Sequence, residues 1–203
     1  MVAIVDYGVG NLFSLKSSLA FIGVDATVTG DADVIRAADK IILPGVGAFG
    51  DAIDRLCESG LDKVIKQEAV GGKHIMGICL GMQLLFDKSY EYGESRGLGL
   101  IGGAIKPISD VIPKEFKIPQ MGWNSLSFKG EKHPIFKYLE DGDHVYFVHS
   151  YQATDCDEAI IATTEYGARI TAAVARENVC GCQFHPEKSG EVGLKILCAF
   201  CEL

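Results

Sequence analysis

The chain has 203 residues, with 27 acidic side chains against 19 basic ones and a formal net charge of −8. This balance argues against a nucleic-acid-binding or membrane-surface protein, because both of those partners are polyanions. A hydrophobic fraction of 48% is enough for a real core, and the length suits a single domain over residues 1–203. No apolar run approaches the roughly 20 residues of a membrane span. The opening Met1-Val2-Ala3-Ile4-Val5-Asp6 reads as a strand rather than a signal peptide. Seven cysteines, odd in number and scattered, fit a reducing compartment, so a cytoplasmic location is expected.

Val2–Asp6 is a short apolar strand, followed by the glycine-rich loop Tyr7-Gly8-Val9-Gly10-Asn11. Leu12, Leu15, Leu19 and Ile22 recur at helical spacing, and Gly23 closes that helix. Ala26–Thr29 and Lys40–Leu43 read as further strands, the latter ended by Pro44-Gly45-Val46-Gly47. Ile53, Leu56, Leu61, Val64 and Ile65 mark helical turns interrupted at Gly60, and Lys73–Ile78 is the fourth strand. Short buried strands alternating with helices imply a parallel sheet covered on both faces. After Gly97 the pattern becomes β-rich: Ala104–Ile108, Asn124–Phe128, Val145–Val148, Ile160–Thr164, Ile170–Val174 and Cys180–Phe184, expected as antiparallel strands added to the sheet. Val192–Cys201 is a closing helix. The loops after the first, third and fourth strands should line one crevice, since ligands bind beyond the carboxyl ends of such strands.

The fourth strand leads into Gly77-Ile78-Cys79-Leu80-Gly81, and Met82–Phe86 reads as a helix start. Strand, sharp turn and helix form a nucleophile elbow, here with cysteine in the serine position. Cysteine attacks as thiolate, so Cys79 needs a base and gains from a helix N-terminus. His185-Pro186-Glu187 supplies an imidazole and a carboxylate that would share one face of a strand. The backbone N–H of Leu80 is one oxyanion donor, and Val46, freed by Gly45 and Gly47, offers a second. His74, His133, His144 and His149 show no ligand spacing, and Cys180/Cys182 and Cys198/Cys201 read as core packing, so no metal and no cofactor are expected.

The elbow with Met82-Gln83, together with His185-Pro186-Glu187, resembles the class I glutamine amidotransferases. The resemblance runs from the first strand to the last helix. It implies a flavodoxin-like, open, mostly parallel sheet and the release of ammonia from glutamine through a glutamyl thioester. Cys79 would be the nucleophile, His185 the general base and acid, and Glu187 its orienting partner. Gln83, Glu91, Ser150, Tyr151 and the glycines at 45 and 47 would bind the substrate. A narrower resemblance rests on Asp6–Asn11, Pro44–Phe49, Pro119–Asn124 and Tyr146–Tyr151. It implies a (β/α)8-barrel cyclase subunit as partner, met by Asn11, Trp123 and Tyr146. Other acceptors of the ammonia (anthranilate, guanylate or pyridoxal-phosphate synthesis), a stand-alone γ-glutamyl hydrolase and a redox-sensing flavodoxin-like module are the rival readings.

Overall fold

The computed structural model describes all of residues 1–203. Its first half alternates strands β1 (Val2–Val5), β2 (Ala26–Thr29), β3 (Lys40–Gly45) and β4 (His74–Cys79) with helices α1 (Leu12–Phe21), α2 (Ala32–Ala37), α3 (Phe49–Glu58) and α4 (Leu61–Val70). Gly60 takes φ +73 between α3 and α4, the left-handed turn that the helical pattern required there. Helix α2 had no sequence expectation. Its start is capped by Asp31, whose carboxylate accepts from the N–H of Asp33 at 2.8 Å and of Val34 at 3.4 Å.

Beyond β4 come the short helix α5 (Leu80–Leu84) and strands β5 (Phe86–Ser89), β6 (Ser95–Arg96), β7 (Ile101–Pro107), β8 (Gln120–Ser125) and β9 (Ser127–Phe128). The chain ends with β10 (His144–His149), β11 (Tyr151–Thr154), β12 (Ile160–Glu165), β13 (Arg169–Arg176), β14 (Val179–Cys182) and α6 (Gly190–Cys201). The main sheet has the order β2-β1-β3-β4-β14-β13-β12-β9. Its first five strands run parallel, in the order of a flavodoxin-like sheet with β14 in the fifth place.

The antiparallel strands do not all extend this sheet, as the sequence led one to expect. Strands β13, β12 and β9 do, but β8 pairs only with β10, and β11-β7-β5-β6 form a third sheet. The predicted strand Asn124–Phe128 is divided between β8 and β9, because its two halves pair with different partners.

Both faces of the main sheet are covered, and the strand period decides which residue goes where. Ala3, Val5, Ile41 and Leu43 point into one core with α3 and α4. Val2, Ile4 and Ile42 point into the other with α1 and α6. No helix is long and apolar enough to cross a membrane.

Candidate active site

Strands β3 and β4 are paired so that Gly45 stands opposite Cys79. The chain turns sharply there. Cys79 adopts φ +54 and ψ −114, a conformation that costs a residue with a Cβ on the order of 1–3 kcal/mol. The flanking glycines make this turn fit. A Cβ on Gly81 would stand 1.8 Å from the carbonyl oxygen of Leu43, and one on Gly77 would stand 2.6 Å from Met82 Cα. The helix that follows is shorter than expected and begins earlier, at Leu80. It ends at Leu84 because Phe86 is drawn into the third sheet. Five residues make a weak dipole, so activation of the sulfur falls on the groups around it.

His185 comes from the segment after β14, the strand that pairs with β4. Its N–H donates to the carbonyl of Tyr146 at 3.0 Å, and its own carbonyl accepts from Ser189 Oγ at 2.6 Å. Nδ1 donates to Glu187 Oε1 at 2.8 Å. This contact does not come from a regular strand, as the spacing suggested. Strand β14 stops at Cys182, and Pro186–Lys188 is a 3-10 turn, closed by Lys188 N–H onto the His185 carbonyl at 3.0 Å. Pro186 cannot donate to a ladder, so the turn brings the two side chains together. Nε2 of His185 is buried with no aligned nitrogen or oxygen partner. Burial pulls the imidazole pKa down, but the Cys79 sulfur and the Glu187 carboxylate outweigh it and raise the value to about 9.

Cys79 and His185 share a crevice of about 520 Å³ with Val46, Gly47, Leu80, Gln83, Glu91, Ser150 and Tyr151. Nine of the expected site residues therefore meet in one place. Glu91 is half-buried; one of its oxygens accepts the Phe49 N–H at 2.7 Å, and burial raises its pKa. Ser150 and Tyr151 carry carbonyls already engaged within the fold: Ile108 N–H donates to the first at 2.9 Å, and Gln83 Nε2 to the second at 3.3 Å.

Gly45 lies outside the crevice. A Cβ there would stand 2.7 Å from Tyr7 Oη and 2.9 Å from Gly81 N, so this glycine permits close packing rather than movement. Tyr7 pins the loop from below, donating to the Pro44 carbonyl at 2.8 Å. Freedom belongs instead to Gly47, which has φ +102 and open space around it. Asn11 also lies outside, bordering a narrow space that it shares with Gly45, His185 and Glu187. The loop after β1 thus backs the site instead of lining it.

Trp123 and Tyr146 are cross-strand partners on the β8–β10 ribbon, edge to face at 6.1 Å. Trp123 is 54% exposed and Met121 beside it 62%. A larger hollow of about 810 Å³ around Asp155, Cys156 and Arg176 contains no histidine to serve as a base.

Sequence reasoning missed His149 and Gln183. His149 ends β10 and lines the crevice. Its Nδ1 donates to the Tyr151 carbonyl at 2.7 Å, its Nε2 touches the Gln120 carboxamide at 3.0 Å, and burial holds its pKa near 4. Gln183 is wholly buried beside the sulfur. The available signal was its place two residues before His185, which would put it on the same face of the strand predicted over Cys180–Phe184.

The family description Glutamine amidotransferase class-I matches residues 3–201. The chain belongs to this family. Among its relatives, the imidazole glycerol phosphate synthase subunit HisH of Lactococcus lactis subsp. lactis is 49% identical, over 99% of this chain and 98% of the relative. The subunit of the same name from Caldanaerobacter subterraneus subsp. tengcongensis is 48% identical, over 100% and 98%. A solved glutamine amidotransferase structure superposes with a TM-score of 0.76 at 18% identity, covering 100% of this chain and 98% of that one. The PurLQS structure from Thermotoga maritima gives 0.75 at 24%, covering 99% and 97%. These two likenesses bear on the fold alone. The class I amidotransferase fold expected from the sequence is the fold observed.

Proposed function

We propose that this chain is the glutaminase subunit of an imidazole glycerol phosphate synthase. In this reading it hydrolyses glutamine and passes the ammonia to a (β/α)8-barrel cyclase subunit in histidine biosynthesis. The carrying observation is the meeting of Cys79 and His185 at one crevice, with Glu187 bonded to the far side of the imidazole, in a chain close to half identical, end to end, to subunits of that name.

The geometry supports the following course. His185 Nε2 takes the Cys79 proton, and the sulfur attacks the glutamine carboxamide carbon. The oxyanion is met by the Leu80 N–H and by the backbone at Val46, whose loop turns about Gly47. The imidazolium, held by Glu187, protonates the leaving nitrogen. Ammonia departs and a glutamyl thioester remains. Water, deprotonated by the same imidazole, then attacks the thioester, and glutamate leaves as sulfur regains its proton. Gln83 and Glu91 hold the amino-acid end of the substrate. The β8–β10 ribbon, with Trp123 exposed and Tyr146 beside it, receives the cyclase together with Asn11 in the loop after β1.

Cys79→Ala tests the reading. Glutaminase activity should vanish while melting temperature and binding to the cyclase persist; retained hydrolysis would remove the nucleophile from the scheme. Glutamine-dependent cyclisation appearing only when this chain joins a barrel cyclase would establish the acceptor. Ammonia release with no gain in cyclisation would favour a stand-alone hydrolase.

A further inference from the structure

Gln183 has no part in the triad, yet its side chain touches the reacting atom. Its Nε2 lies 3.8 Å from Cys79 Sγ, within the range of a hydrogen bond to sulfur, and the residue is wholly buried. A buried carboxamide must satisfy both of its ends. The other end does so through Gln83, whose Nε2 donates to Gln183 Oε1 at 3.0 Å and to the Tyr151 carbonyl at 3.3 Å.

That carbonyl fixes the direction of the whole chain. A backbone carbonyl can only accept, so Gln83 must turn its NH2 toward it. The same NH2 reaches Gln183, which must answer with its oxygen. Only the NH2 of Gln183 is then left to face the sulfur. His149 Nδ1 donates to the same Tyr151 carbonyl at 2.7 Å and steadies the end of the chain. A donor aimed at sulfur favours the anion over the thiol.

We infer that Gln183 is a further catalytic residue: its carboxamide N–H stabilises the Cys79 thiolate when the proton has passed to His185, and Gln83 holds that donor in place. The inference rests on the nucleophile assigned above. It also ties the substrate-binding glutamine to the nucleophile, since Gln83 keeps its own oxygen free for substrate while its NH2 orients Gln183.

The test is the rate of Cys79 carbamidomethylation by iodoacetamide in the full chain, followed by mass spectrometry of the peptide that contains it. This readout requires neither glutamine nor a partner, so it separates failure of this inference from failure of the proposed substrate. Gln183→Met and Gln183→Leu keep the volume and remove the donor. At pH 7 each should label about tenfold more slowly than wild type, a change on the scale of one hydrogen bond to a charged group. At pH 10, where hydroxide makes the thiolate without help, the gap should close. Gln83→Met should slow labelling at pH 7 as well, by releasing the Gln183 amide. Melting curves identify any variant that has not folded, and the remaining ones decide. Wild-type labelling rates in the folded Gln183 variants would overturn the inference. A deficit of equal size at both pH values would do the same, because it would mark Gln183 as packing.

Discussion

Nδ1 of His185 donates to Glu187 at 2.8 Å across a single proline, in a 3-10 turn. The bond helps raise the imidazole pKa to about 9 against the pull of burial. A raised histidine pKa means that the folded site favours the proton. The interaction is complete below the ordinary value near 6.5 and is lost as pH rises through about 9.

The alkaline limb of kcat/KM should therefore lie near pH 9, where the acid that protonates the departing ammonia disappears. Glu187→Gln removes the charge, so the limb should move toward neutral pH and kcat should fall by about 10²-fold or more. A pH–rate profile of glutamine hydrolysis measures both. An unmoved limb would show that Glu187 does not set this equilibrium.

Gly81→Ala should disturb the elbow. The added methyl would meet the Leu43 carbonyl at 1.8 Å, a backbone atom that cannot swing aside. A cost of about 1–3 kcal/mol is expected from overpacking, seen as a melting temperature lower by several degrees. Activity should fall further than stability, because the nucleophile rides on that turn. An unchanged melting curve with full activity would contradict this geometry.

Trp123→Ala should spare the fold and weaken assembly. With Trp123 54% exposed, truncation should move the melting temperature by no more than about 2 °C. Binding to a barrel cyclase, measured by titration calorimetry, should weaken by roughly 30-fold if the ring is an anchor of the interface. A large stability loss in the isolated chain would instead assign Trp123 to the core.

Much of this was legible in the sequence, for identifiable reasons. The parallel half showed itself because β1, β3 and β4 are short apolar runs buried on both faces, separated by stretches of helical spacing closed at Gly23 and Gly60. The elbow at Cys79 showed itself because it leaves paired glycines at 77 and 81. The allocation of antiparallel strands to three sheets was not legible, since pairing partners such as β8 and β10 are chosen by tertiary contact, not by local pattern. Strand β5 was hidden by Met82–Phe86, an apolar run that suits a helix or a strand equally. The role of Gly45 was misjudged because a glycine that allows movement and one that allows contact look alike in sequence. Gln183 and His149 were passed over because each touches a partner distant in the chain: Cys79 for the first and Gln120 for the second.

Strand β14 lies between β4 and β13 near the middle of the main sheet, although it is nearly the last segment of the chain. During synthesis the thiol-bearing elbow emerges about a hundred residues before the segment that completes it. Until β14 inserts, β4 has an open edge and the sulfur has no imidazole beside it. Closing so long a stretch is entropically costly and comes late. Closure of the sheet beside β4 and the arrival of His185 next to Cys79 therefore depend on one and the same late segment.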